Sequence, residues 1–180
     1  MKKKYNLVLI PVTKNNEVIT LTQKLSPIAD KYLLCEKSLP HVTLYQFQAE
    51  EEEIGSIWNQ VMGAWKEKLI DLVFNKFSCI TFDNTIFWVS LLPDKRDVLH
   101  KMHATIANVL KFPIKKTFDP HMTLINSKDK EYEQEVAKLS DSYTPITDTF
   151  ILSLGVSDDI GQLTKIIYRC DMKKRRVCKF

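Results

Sequence analysis

The chain has 180 residues, 44% of them hydrophobic and 27% charged, a balance that excludes disordered, collagenous and repeat-array classes and fits a soluble globular protein. Its formal net charge of +4 tolerates an anionic ligand such as RNA or a nucleotide without demanding one. No apolar run reaches the length needed to cross a bilayer, and four cysteines without metal-type spacing suit free thiols in a reducing cytoplasm.

The start, Met1-Lys2-Lys3-Lys4 followed by an apolar stretch, imitates a signal peptide. The stretch is too short and runs into Thr13-Lys14-Asn15-Asn16 without a small-residue cleavage site, so Tyr5 to Val12 is expected to be a buried first strand. Val18, Leu21, Leu25, Ile28 and Tyr32 then recur at helical spacing, with Pro27 kinking the helix or restarting it from Ser26. His41 to Gln48 alternates as a strand does. The acids Glu50 to Glu53 suit the positive end of a second helix, with Ile54, Ile57, Trp58, Val61, Met62 and Trp65 as its apolar stripe.

Val73 to Phe82 and Thr85 to Leu92 read as two strands around an Asp83-Asn84 turn. A third helix spans Asp94 to Leu110, with Val98, Met102, Ile106 and Val109 on one side. His121 to Asn126 is a further strand, and Tyr132, Val136 and Leu139 mark a short fourth helix. Ile146 to Val156 and Leu163 to Cys170 complete the set as strands around the Ser157 to Gly161 turn. The order of elements runs through the chain twice, in approximate halves 1–83 and 84–180. Without a Gly/Ser/Pro linker the halves are expected to form two interlocked, pseudo-symmetric lobes of one α+β domain. Each lobe would hold a mostly antiparallel sheet with flanking helices, and a groove would lie between them.

One short segment repeats at equivalent places in the two halves: Pro40-His41-Val42-Thr43-Leu44 and Pro120-His121-Met122-Thr123-Leu124. Strand alternation puts His41 and Thr43 on one face and Val42 behind, and His121, Thr123 and Met122 repeat this. A groove lined by both faces would hold two imidazoles and two hydroxyls. That set suits phosphodiester chemistry without a metal, because one imidazole can remove a proton while the other delivers one near neutral pH. The hydroxyls can donate to non-bridging oxygens as charge builds there.

In these paired His-x-Thr motifs, the Phe87-Trp88-Val89 strand and the order of elements, the sequence resembles the two-histidine phosphoesterase superfamily, the LigT-like enzymes. The resemblance implies a bilobal α+β fold, His41 and His121 as the general acid/base pair, and Thr43 and Thr123 as phosphate ligands. It implies hydrolysis of 2′,3′-cyclic phosphates or 2′-5′ linkages in nucleotides or RNA. The alternatives are 2′-5′ RNA ligation, or a groove that binds RNA ends without turnover. No metal, organic cofactor or membrane is expected, and the protein is read as a cytoplasmic monomer. One departure stands out: many relatives carry a basic residue soon after the second motif, whereas Ile125-Asn126-Ser127 precede Lys128 here, and Lys115 and Lys116 upstream are the candidates to replace it.

Other residues divide between binding and packing. Alternation extends the His41/Thr43 face to Tyr45 and Phe47, so Tyr45 is a candidate for stacking on a base, against the commoner role of packing between lobes. Trp88 carries the same choice. His100 and His103 sit three apart on the third helix without an acidic or cysteine partner, which favours a helix face over a metal site. The run Lys173-Lys174-Arg175-Arg176 reads as a solvated tail able to meet RNA phosphates.

Overall fold

The computed structural model describes residues 1–65, 69–81, 83–170 and the backbone of 177–179. Its elements are β1 (Lys3–Pro11), α1 (Asn15–Gln23), β2 (Val42–Ala49), α2 (Ile54–Ala64), β3 (Leu69–Thr81), β4 (Phe87–Pro93), α3 (Arg96–Leu110), β5 (Met122–Ser127), α4 (Tyr132–Asp141), β6 (Ile146–Ser157), β7 (Leu163–Cys170) and β8 (Val177–Lys179). Phe82 and the basic run 173–176, both part of the sequence expectations, lie outside the described residues.

The strands join one sheet in the order β2-β1-β6-β3-β4-β5, with β7 on β6 and β8 on β7, and every pairing is antiparallel. Exchanging β1, β2 and β3 for β4, β5 and β6 leaves that order unchanged. The third strand of each set pairs with the first strand of the other, β3 with β4 and β6 with β1, so the halves interlock through their backbones. Strand β6 is long enough to serve three neighbours: Ile146 to Ile151 pair with β3, Phe150 to Val156 with β1, and Ser153 to Ser157 with β7.

The four helices bury their apolar stripes on one face of this sheet. Val18 and Leu21, Ile54, Trp58 and Val61, Leu99, Met102 and Ile106, and Tyr132, Val136 and Leu139 share one core with Tyr5, Leu7 and Leu9 of β1. The other face of β1 carries Val8 and Ile10, which cluster with Ile151, Leu163 and Cys170. Both faces of β1 are therefore dry, as its unbroken apolar run requires. The acids before α2 act as a capping box, Glu50 and Glu53 each closing on the other's backbone N–H. The turn before β4 is held by Asp83 Oδ1, which accepts from Thr85 and Ile86 N–H at 2.9 and 3.1 Å.

Two helical expectations differ from the structure. The first helix stops at Gln23, and Pro27 sits in a separate 3-10 turn, Ser26–Ile28, so Tyr32 is not helical. The chain there is extended: Asn126 Oδ1 captures the N–H groups of Lys31 and Tyr32 at 2.9 and 2.6 Å, and Leu33 bridges to Ile125. In α3 the buried stripe is Leu99, Met102, His103, Ile106 and Ala107, rotated from the expected one, and Val98 and Val109 lie at its margins.

Strand β7 comes so close to β6 that a Cβ on Gly155 would lie 2.3 Å from the Lys165 carbonyl oxygen and 2.7 Å from Leu163 Cδ1. Backbone cannot yield as a side-chain tip can. Leu163 in turn accepts the Leu39 N–H at 3.1 Å, two residues before His41. Gly155→Ala is expected to cost about 1–3 kcal/mol or more and to lower the denaturant midpoint at unchanged m-value. An unchanged midpoint would show that β7 can move away freely.

Candidate active site

Each repeated motif enters its strand the same way. His41 Nδ1 lies 2.7 Å from the Leu39 carbonyl, and His121 Nδ1 lies 2.7 Å from the Asp119 carbonyl. In both cases the intervening residue is a buried proline, Pro40 or Pro120. A carbonyl oxygen only accepts, so Nδ1 carries the proton in both rings and Nε2 is the nitrogen left to take or give one. Asp119 is itself held by an ion pair with Arg96.

Both strands then make the same irregularity. Leu7 pairs with Tyr45 and Val8 with Thr43, so Leu44 is an extra residue; Val89 pairs with Ile125 and Ser90 with Thr123, so Leu124 is another. These are β-bulges, which reverse the alternation beyond them. Val42, Leu44, Tyr45 and Phe47 consequently all face the helix-side core, as do Met122, Leu124 and Ile125.

The histidines and threonines remain on the inner face. His41, Thr43, His121 and Thr123 line one cavity of ≈ 200 Å³, together with Tyr32, Gln46, Ile80, Trp88, Ile160 and Gly161. Strands β2 and β5 stand at opposite ends of the sheet order, so the sheet curls to bring them to one chamber. Neither threonine hydroxyl has a protein partner among the described residues. Among the described residues no Lys, Arg, Asp or Glu lines the cavity. Among the described residues no group of three or more His, Cys, Asp or Glu could hold a metal ion. A larger groove between α1 and α4, with Glu17, Lys24 and Tyr143 in its walls, contains no histidine.

The two rings are not equivalent. His41 is 5% exposed, whereas His121 is half-buried. Burial pushes the His41 pKa from 6.5 down to about 4; its bond to the Leu39 carbonyl opposes this, and a charge on His121 adds to it. The neutral ring is therefore His41.

The placement of Tyr45 corrects the sequence expectation. The bulge at Leu44 turns it away from the cavity and leaves it 4% exposed, stacked on His103 at 5.2 Å with its hydroxyl donating to the Pro113 carbonyl at 2.8 Å. Phe47 is turned to the core in the same way. Gln46 takes the inner position instead. Trp88 does reach the cavity, edge-on to Tyr32 at 5.8 Å. The candidate replacement cations do not: Lys115 Nζ sits 5.3 Å from the Tyr45 ring centre, and exposed Lys116 is not in the wall; Lys128, after the second motif, pairs with Asp30 at 3.1 Å. His100 and His103 are held by Phe118, edge-on at 5.1 Å and stacked at 4.2 Å respectively. Sequence reasoning missed Gln46, Tyr32, Ile80, Ile160 and Gly161 as wall residues. For Gln46 the bulge left no signal, and Gly161, at φ +91, follows from the turn the sequence already marks.

Paired His-x-Thr strands facing one chamber on an antiparallel α+β scaffold define the class of two-histidine phosphoesterases. A family model described as the 2′-5′ RNA ligase superfamily matches residues 7–165, and the chain belongs to that superfamily. Among solved structures it is similar to Escherichia coli LigT without ligand, at 9% identity and a TM-score of 0.55 over 99% of this chain and 94% of that one. LigT complexed with 3′-AMP gives 10% identity and a TM-score of 0.56 over 100% and 95%. A crystal structure of a phosphoesterase gives 11% identity and a TM-score of 0.51 over 99% and 94%. At such identities the likeness is one of fold. No curated protein matches the chain in sequence.

The burial of His41 has a consequence for stability. Between pH 6.5 and about 4 the unfolded chain binds a proton at this residue that the folded one refuses, so folding is disfavoured as the pH falls through that window. The loss amounts to about 3 kcal/mol when complete. Urea titrations across this range should show the decline in the native protein and a shallower one in His41→Gln. Parallel curves would refute the assignment.

Proposed function

We propose that the protein cleaves a phosphodiester in a nucleotide or RNA end, either a 2′,3′-cyclic phosphate or a 2′-5′ linkage, with His41 as general base and His121 as general acid. The observation that supports this best is the shared anchoring: two imidazoles lining one cavity, each with Nδ1–H committed to the carbonyl two residues back and Nε2 left over. The superfamily match supports a phosphodiesterase or ligase chemistry in general. The catalytic pair supplies both proton transfers, so no metal step is required. Free thiols at Cys35 and Cys79 go with a cytoplasmic setting, and we take the working unit to be a monomer.

For a cyclic phosphate the step runs as follows. Water bonds to phosphorus while His41 Nε2 takes its proton. The bond from phosphorus to one ribose oxygen breaks, and His121 Nε2–H delivers a proton to that oxygen. The pair ends with a proton moved from His121 to His41, and exchange with solvent restores it. Thr43 and Thr123 donate to the non-bridging oxygens, where negative charge accumulates. Burial keeps His41 neutral and ready to accept, while half-buried His121 stays in contact with water. The same step with an RNA 5′-hydroxyl in place of water, the bond from phosphorus to the 3′ oxygen breaking, joins ends through a 2′-5′ bond, the reaction for which the superfamily is named.

The test is a panel of 2′,3′-cyclic nucleotides, 2′-5′ and 3′-5′ dinucleotides, and RNA bearing a cyclic phosphate, run in excess chelator. Turnover is expected to survive chelation, and His41→Ala and His121→Ala to lose about 10²–10⁴-fold in kcat each. Full activity in either well-folded variant sinks the mechanism, and abolition by chelator points to a metal. Analysis of products from RNA halves separates hydrolysis from joining.

The pH profile is a second, independent check. With His41 as base, the acid limb of kcat/KM should fall with an apparent pKa of about 4, well below the ordinary histidine range. An acid limb that survives in folded His41→Gln but disappears in His121→Gln would reverse the two roles.

A further inference from the structure

We infer that His103 is a positioning residue for the first motif: its imidazole holds the bulge at Leu44 that turns Thr43 and Gln46 into the cavity. The inference rests on the proposed acid–base reading for its effect on turnover, but not for its effect on structure.

A bulge leaves a backbone carbonyl without its ladder partner, and a buried carbonyl requires a donor. Leu44 and His103 are 0% and 2% exposed, so water cannot reach between them. His103 Nδ1 meets the Leu44 carbonyl at 2.8 Å, and Nδ1 must be the protonated nitrogen because the carbonyl only accepts. The other nitrogen, Nε2, accepts the Lys115 N–H at 3.1 Å. Both nitrogens are committed, so the ring has one neutral tautomer and one orientation. Stacking fixes that plane: Tyr45 lies on one ring partner at 5.2 Å and 13°, and Phe118 at 4.2 Å and 6°.

The second motif solves the same problem without a side chain. The bulged Leu124 carbonyl accepts directly from the Leu34 N–H at 3.0 Å, within the extended segment that follows α1. The corresponding segment after α3 contributes the Lys115 N–H, but that N–H reaches the first motif only through His103. The imidazole is therefore a spacer between two backbone groups that elsewhere pair directly. A residue present only to fill space would be apolar, and Leu99, Met102 and Ile106 on the same stripe are.

Two substitutions separate holding the bulge from packing. His103→Phe keeps a flat ring between Tyr45 and Phe118 and removes both hydrogen bonds. His103→Asn gives up the stack but places an amide N–H where Nδ1–H was. The readouts are kcat, KM, melting temperature and the backbone amide shifts of Thr43, Leu44 and Gln46. We expect folded His103→Phe to lose about tenfold to a hundredfold in kcat with little change in KM, with displaced amide shifts, and His103→Asn to restore most of both. Wild-type kcat with unmoved shifts in His103→Phe overturns the inference, as does an Asn variant that folds yet is as impaired as Phe. Should His103→Phe fail to fold, His103→Leu is read against the same outcomes. His41→Ala is the control: if it stays active the acid–base reading fails, while the amide shifts still decide whether His103 holds the bulge.

Discussion

The inner face of this sheet depends on one extra residue in each of two strands. Without the bulges at Leu44 and Leu124, strict alternation would send Tyr45 and Ile125 inward and would turn Gln46 and Asn126 toward the helices. A polar side chain would then enter the core at both places, and bulky apolar ones would fill the chamber. With the bulges, Leu44-Tyr45 and Leu124-Ile125 both stay in the core, and the space beyond the threonines is left to an amide. The two inner amides do different things. Gln46 borders the cavity, while Asn126 is spent internally, fixing the segment that places Tyr32 in the wall.

A repeated motif does not produce a symmetric site. The strand order reads the same from either edge, and the Nδ1 anchors match in partner and length. Burial breaks the equivalence. The segment before His41 is tied to β7 through the Leu39–Leu163 bond, and β7 lies only beside the β1 end of β6, where β3 has left the edge. The segment before His121 is anchored instead by an exposed Arg96–Asp119 pair. One imidazole is thus pressed into a dry interior and the other kept at the rim, although the five residues around each are nearly the same. The donors to the two bulge carbonyls, an imidazole in one case and a backbone N–H in the other, differ in the same sense.

Much of this was legible in the sequence, for identifiable reasons. Strand and helix periodicity marked every major element, because β1, β6 and the four helices bury continuous apolar faces that leave a plain pattern. The paired Pro-His-x-Thr-Leu segments identified four residues that the structure brings to one cavity. What failed was local. The bulges carry no glycine or other marker, so Tyr45 was carried onto the wrong face. Tyr32 continued a helical spacing by chance, and only a side chain 94 positions away, Asn126, shows why its backbone is extended. His103 interrupted an apolar stripe and drew the third helix's inward face a few residues off. Its role requires knowing that a carbonyl in another strand lacks a donor.

Among the described residues no lysine or arginine lines the chamber, which bears on how it would hold a phosphate. Charging His41 costs about 3 kcal/mol relative to a solvated histidine, by the fall of its pKa to about 4. A hydrogen bond to a charged group contributes about 1.5–3 kcal/mol, so the two threonine hydroxyls alone are comparable to that cost. An entering phosphate therefore need not draw a proton onto His41 to be bound. On the proposed mechanism its charge is met by the hydroxyl dipoles and by the His121 ring at the rim. Each proton on His121 in turn makes one on His41 less favourable. On the proposed mechanism the substrate's own anion sorts the pair into one acid and one base, and a permanent cation in the wall would weaken that sorting by stabilising the phosphate without regard to which ring is charged.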